Sequence, residues 1–315
     1  MPGAVAVYLG VAVLSRAVGF LLVPLYTRRM TVAEYGDLAL AQSATALLPM
    51  VLTLGIVSAV PRAFFRGKDA AEGMRQAGHV GAWATVLSLA AGALVELAIV
   101  SLIPPHTGRS IGRLEASCVL VAAVGLGLTS IPSVVFRAAQ KPVTAALFQV
   151  LEALSLAGFT VLFVLVRRLA LRGALLALAC TYSLNGLLAI YVVFVHLGGR
   201  PAGANLRDLV KFSFPFVPHF VANWAQSAAD RWVLKGAGYG ATLGAFALAS
   251  QVLTPATMTL LAVHDYASAT MGEAFRQRGL YGLRLFCGRQ RMRYFVAALV
   301  PTLACVAAIP LVPYV

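Results

Sequence analysis

Acidic side chains are scarce in this chain. Eleven Asp and Glu stand against 25 Lys and Arg, and charged residues make up only 11% of 315 positions. A soluble domain carries roughly 25% charged residues, because its surface must be wetted. The shortage excludes an ordinary globular enzyme. Cysteine is sparse too. Cys118, Cys180, Cys287 and Cys305 form no CxxC pair and join no His cluster, so neither a metal site nor a disulfide framework is expected. Catalytic signatures are missing. Without a GxSxG elbow, a Walker loop, HExxH or DxD, an enzyme, an ATP-driven pump or a membrane glycosyltransferase has no support, and no cofactor is implied. No low-complexity tract or soluble domain interrupts the chain. Its start lacks the basic n-region and small-x-small site of a signal peptide.

What the chain does have is apolar sequence: 60% of its residues, with a mean hydropathy of +0.85. The apolar runs divide into about nine spans, at residues 5–27, 38–61, 80–103, 115–136, 143–166, 173–197, 210–233, 241–270 and 294–315. At 1.5 Å per residue, about 22 residues cover roughly 33 Å, the thickness of a hydrocarbon core. The runs are continuously apolar rather than alternating, which favours helices over barrel strands. The expected fold is an all-α polytopic membrane protein. The net charge of +14 would suggest nucleic acid in a soluble protein. Here the cations fall between apolar runs, as the positive-inside rule requires, so the partner is the bilayer and no nucleic acid is expected. Fifteen Lys and Arg lie on one side and nine on the other, which puts the N-terminus in the cytoplasm. Residues 273–293 read as an interfacial amphipathic helix or a plain basic loop.

The stretch from Ser15 to Phe65 organises the rest. Two spans flank a polar turn, and Arg16 stands deep inside the first. An internal echo follows. Gly36-Asp37-Leu38-Ala39-Leu40-Ala41 resembles Gly244-Ala245-Phe246-Ala247-Leu248-Ala249, with four of six positions identical. Six spans separate the two, as in a parallel repeat of six-helix halves. The expected organisation is an N-terminal six-helix bundle at 1–200 and an incomplete C-terminal half, its first three helices, at 201–315. Gly240 and Gly244 form a GxxxG pair of the kind that an Ala/Gly-rich composition produces by itself.

Two blocks carry a family resemblance. The first holds Ser15-Arg16, Gly19-Phe20, Glu34-Tyr35-Gly36, Leu54-Gly55 and Ala59-Val60-Pro61-Arg62. The second holds Lys211-Phe212-Ser213, Pro215, Pro218, Asp230-Arg231 and Leu243-Gly244 with Ala247. The chain thereby resembles the polysaccharide biosynthesis family, the flippases for lipid-linked oligosaccharides such as O-antigen units. That family lies within the superfamily that also contains multidrug and toxin extruders. The resemblance implies transport of a polyprenyl-pyrophosphate-linked oligosaccharide from the cytoplasmic to the outer leaflet by alternating access. It implies a multi-pass protein of the bacterial inner membrane that works beside polysaccharide polymerase and assembly proteins. A multidrug or cation antiporter of the same superfamily is the alternative, as is a non-transporting scaffold in a polysaccharide-assembly complex.

On this reading, Arg16 lines a central cavity and binds pyrophosphate, because its planar donors match phosphate oxygens and it stays charged. A structural ion pair is the plainer alternative. Arg62 lines the mouth of the same cavity or simply marks the interface. His219, next to Pro218, lines the cavity or forms a structural hydrogen bond. Glu96, a lone carboxylate within span three, is a candidate for ion coupling. Asp230 and Arg231 are candidate gate residues, with membrane anchoring as the alternative. Asp265 is a candidate coupling or gating carboxylate late in span eight.

Overall fold

The computed structural model describes Val18 and Gly19, residues 21–103 and 112–251, and scattered positions between 271 and 303. Every described element is a helix. A helical segment at residues 21–27 (α1) leads through a turn to α2, Val32–Leu52. A 3-10 turn, Ile56–Ala59, joins α2 to the short α3, Val60–Arg66. Four long helices follow: α4 (Ala70–Leu102), α5 (Arg113–Ala138), α6 (Pro142–Thr160) and α7 (Ala170–Tyr191). A π-turn extends α6 to Val166 and another extends α7 to His196. After them come α8 (Leu206–Ser213), α9 (Phe216–Gly236) and a helix at residues 240–251 (α10).

Capping, not hydropathy, sets the starts of α2 and α4. Thr31 accepts from the Glu34 backbone N–H at 3.2 Å, and the Thr31 N–H donates to Glu34 Oε2 at 2.8 Å, which closes a capping box before α2. Asp69 accepts from the Glu72 N–H at 2.7 Å and starts α4 ten residues before the span read from hydropathy at residue 80. At 33 residues, α4 is roughly 50 Å long and outruns the hydrocarbon core.

Two spans expected to be continuous are broken. Leu54 and Gly55 adopt φ +50° and +71°, and the chain bends by 63° between α2 and the Ile56–Arg66 segment. Span seven divides at Ser213–Pro215, because Pro215 and Pro218 leave the first turn of α9 without two backbone donors. Among the described residues four helices are long and apolar enough to cross a membrane, or five if the bent pair counts as one span. The expected number, nine, therefore exceeds what the described residues contain.

The chain runs up and down, so the helix ends form two layers. One layer holds Thr31, Leu102, Arg113 and Gly236; the other holds Arg62, Ala70, Ala138 and Leu206. α5 lies at the centre. Its small residues permit the close approach that helix packing in lipid requires. Gly125 lies against the backbone of Tyr182, and a Cβ on Gly186 would stand 3.2 Å from Gly125 Cα. One apolar core joins α1, α2, α5 and α7 around Leu22, Tyr26, Tyr35, Leu38 and Leu175. A second joins the α3 turn to α4, α5 and α7 around Ile56, Val60, Val80, Ile131 and Val193.

Candidate functional site

The polar groups of α2 converge on α9 and α10. Asp37, 4% exposed, forms an ion pair with Lys235 near the end of α9. Two turns along α2, Ser43 takes two indole donors. Trp224 Nε1–H donates to the Ser43 carbonyl at 2.8 Å, and Trp232 Nε1–H donates to Ser43 Oγ at 3.0 Å. The hydroxyl itself donates to the Leu40 carbonyl at 2.7 Å. Gly36 clears the space for α10. A Cβ there would meet Gly240 O, Gly244 N and the Leu243 side chain, each at 3.1 Å. The GxxxG pair, expected to carry no meaning, thus straddles α2.

The Glu34-Tyr35-Gly36 triplet of the sequence resemblance becomes physical here. Glu34 closes the capping box, Tyr35 packs in the core against Tyr26 with ring centroids 6.4 Å apart, and Gly36 admits α10.

The opposite layer carries a cationic cleft. Arg62, Arg66, Lys211 and Phe212 line a cleft of about 440 Å³, with Asp208 as its one carboxylate. The Arg62 guanidinium lies 4.2 Å above the Phe212 ring, which fixes its direction while leaving its N–H edges free to bind. Phe212 in turn packs on Phe216 at 5.5 Å. A planar cation held by its face against an aromatic ring suits phosphate oxygens approaching edge-on.

The sequence candidates do not gather in one place. Arg62 lines the cleft. His219 is exposed on the first turns of α9 and meets Phe220 edge-on at 5.9 Å. Glu96 is remote from both. It accepts from Ser117 Oγ at 2.7 Å, between α4 and α5. Asp230 is exposed and accepts from the backbone N–H of Arg231 at 2.8 Å, so the ion pair that joins α2 to α9 belongs to Asp37 and Lys235 instead. Arg231 reaches α10, with Nη2 donating to Ser250 Oγ at 3.4 Å and Nε buried without a partner among the described residues. Arg16 and Asp265 lie outside the described residues.

Sequence reasoning missed Asp37 and Ser43, the partners on α2; Lys235 and the two indoles stand in the stretch that closes span seven beside Asp230 and Arg231. Asp37 reads as the end of a polar turn, and its signal, an acid beside Gly36 at the head of an apolar run, is faint. Asn185 is another omission. It is 1% exposed, donates to Ser155 Oγ at 3.0 Å and to the Thr181 carbonyl at 2.8 Å, and pins α6 to α7. Among the described residues no cluster of His, Cys, Asp and Glu is suited to a metal ion.

A sequence profile described as polysaccharide biosynthesis protein matches residues 4–265. No curated protein sequence matches significantly. Several solved structures share the fold. A transporter of the MOP superfamily from Pyrococcus furiosus, described as having a binding pocket of reversed polarity, aligns with a TM-score of 0.70 at 18% identity, covering 98% of this chain and 71% of that one. An outward-facing multidrug resistance MATE family transporter gives 0.69 at 18% identity, covering 97% and 71%. An inward-facing one gives 0.53 at 17%, covering 99% and 70%. At such identities the likeness is one of fold.

Proposed function

The chain belongs to the polysaccharide biosynthesis protein family, and from that premise we propose that it is a flippase for polyprenyl-pyrophosphate-linked oligosaccharide. It would move this substrate from the cytoplasmic to the outer leaflet of a bacterial inner membrane by alternating access, with its N-terminus in the cytoplasm. Polysaccharide polymerase and assembly proteins would take over the product.

The observation that carries this reading is the charge of the cleft at Arg62. Three cations, Arg62, Arg66 and Lys211, face a single carboxylate, Asp208. Such a site attracts a pyrophosphate and repels organic cations. It lies in the layer that the charge bias of the loops assigns to the cytoplasm, where a lipid-linked precursor would be captured. Arg16 would receive the headgroup deeper in the membrane.

In this proposal the chain divides near residue 200 into two bundles related by a pseudo-two-fold axis. Asp37 and Lys235, with Ser43 and its two indoles, would close the outer side while the substrate loads. Parting them exposes a buried carboxylate to the passing headgroup, so closure is restored once the headgroup has left.

The multidrug reading draws on the fold shared with the MATE transporters. One experiment separates the two. Proteoliposomes carrying the purified chain are assayed for translocation of a short polyprenyl-pyrophosphate disaccharide and, in parallel, for efflux of a cationic dye. Lipid translocation that falls at least tenfold in Arg62→Ala supports the flippase. Dye efflux without lipid translocation overturns it.

A further inference from the structure

α4 and α7 are tightly joined at one end and part toward the other. Near the Arg62 layer, glycines bring them together: a Cβ on Gly78 would stand 2.9 Å from Leu197 Cβ and 3.4 Å from Gly199 Cα. Toward the opposite layer a groove of about 360 Å³ opens between them, with α5 as its floor. Its walls are Leu89, Gly92 and Ala93 of α4 and Leu187 of α7, and its floor includes Val121 and Val124. Leu89, Val121 and Leu187 are exposed. This side is not the α2 face of α5, where Gly127 abuts Pro49. In a bilayer such a groove faces hydrocarbon chains, and dispersion contact favours filling it with one.

One lining group does not belong in hydrocarbon. Glu96 spends Oε1 on Ser117, and its Oε2 is buried without a hydrogen-bond partner among the described residues. A carboxylate left in that state is costly in a membrane. Its torsion is soft, so a turn of the group brings a free oxygen to the groove. Glu96 stands six residues before Leu102, or about 9 Å in from the helix end, in the outer half of the span rather than at its midplane. On α5, Arg113, Ser117, Val121, Val124 and Leu128 recur at intervals of three and four and share one face. Arg113 therefore sits one turn outward of Ser117, over the groove. It is half-buried, and no hydrogen bond or ion pair ties it to another described residue.

The slot thus offers an apolar trough, a carboxylate with an oxygen to spare and, one turn further out, a guanidinium. That is the complement of a zwitterionic lipid whose cation carries N–H donors. We propose that the groove is a binding site for one molecule of phosphatidylethanolamine. One acyl chain lies along Val121 and Val124, the ammonium donates to Glu96, and the phosphate faces Arg113. A choline headgroup has no N–H to give. A glycerol headgroup offers hydroxyl donors but no cation to balance the Glu96 carboxylate. A polyprenyl pyrophosphate brings more negative charge than one guanidinium balances and no ammonium for Glu96, so the site is separate from the proposed transport route.

The test is native mass spectrometry of the full chain in detergent, titrated with dioleoyl-phosphatidylethanolamine, -choline and -glycerol. One saturable ethanolamine adduct is expected, at least about fivefold tighter than either other lipid. Glu96→Gln weakens it about tenfold, the scale of one charge-assisted hydrogen bond. Ala93→Trp fills the trough without touching the carboxylate and abolishes the adduct while the thermal midpoint of the lipid-free protein stays put. Equal binding of the three lipids overturns the proposal. So does an ethanolamine adduct that survives both substitutions.

Discussion

Gly36 and Gly244 lie backbone to backbone. A Cβ on Gly36 would stand 3.1 Å from the Gly244 nitrogen, and one on Gly244 would overlap the Val32 carbonyl. These are the leading residues of the two echoing hexapeptides, 208 positions apart. In a pair of helices related by a two-fold axis, residues near the axis meet their own equivalents. The weak echo in the sequence therefore marks a direct contact between α2 and α10.

The asymmetry of that contact gives a first prediction. Gly244→Ala forces the Val32 backbone to move and is expected to cost about 1–3 kcal/mol, as overpacking does. Gly36→Ala meets its neighbours at 3.1 Å and costs less. Thermal unfolding of purified variants in detergent ranks the two. A Gly36 variant less stable than the Gly244 variant contradicts the packing described.

The Asp37–Lys235 pair yields a second. Lys235→Met strands a carboxylate that is 4% exposed and is expected to destabilise the protein by about 3–5 kcal/mol. Asp37→Asn combined with Lys235→Met removes both charges and recovers most of that loss. A double-mutant cycle in denaturant unfolding measures the coupling. Additive losses show that the pair contributes nothing as a pair.

At Leu54-Gly55 the backbone rather than a side chain is at stake. Gly55 has φ +71°, and a Cβ there would stand 3.0 Å from the Ser213 carbonyl at the end of α8. Gly55→Ala suffers on both counts, by about 1 kcal/mol from conformation and more from the contact. Leu54→Gly, at φ +50°, relieves strain while leaving the neighbouring contact alone. Opposite shifts in melting temperature are the expected outcome.

Arg172 and Glu115 supply a control. They form an ion pair at 2.8 Å, but the arginine side chain is 69% exposed, and the buried Glu115 also accepts from the Gly112 N–H at 3.0 Å, so its carboxylate keeps a partner when the arginine is lost. Screening reduces such a pair to less than about 1 kcal/mol. Arg172→Gln is expected to shift stability by that amount at most, and by less in high salt. A loss as large as that of Lys235→Met refutes the contrast between the two pairs.

The helices α4 to α7 were legible because each is a continuous apolar run, and hydropathy reads continuity well. It does not read ends. Asp69 starts α4 ten residues early because a carboxylate satisfies a backbone N–H, and no apolar pattern announces that. It does not read breaks either. Leu54-Gly55 stood out as a motif, but its positive φ belongs to a turn that closes α2, with the Gly55 N–H donating to the Met50 carbonyl at 2.9 Å, and apolarity gives no sign of that. At the site, Arg62 was legible as a cation after a proline. Asp37 was not, because its meaning depends on a lysine 198 residues away.

Three indoles remain. Trp83 Nε1–H donates to the Ala204 carbonyl at 2.9 Å, and Trp224 and Trp232 both donate to Ser43. They are all the tryptophans of the chain. Each therefore ties the part before residue 200 to the part after it. Excited at the red edge of its absorption, where tyrosine does not absorb, the unlabelled protein consequently emits only from seams between those parts. Any rearrangement that parts them would announce itself as a change in colour or brightness, with no dye attached and no residue replaced.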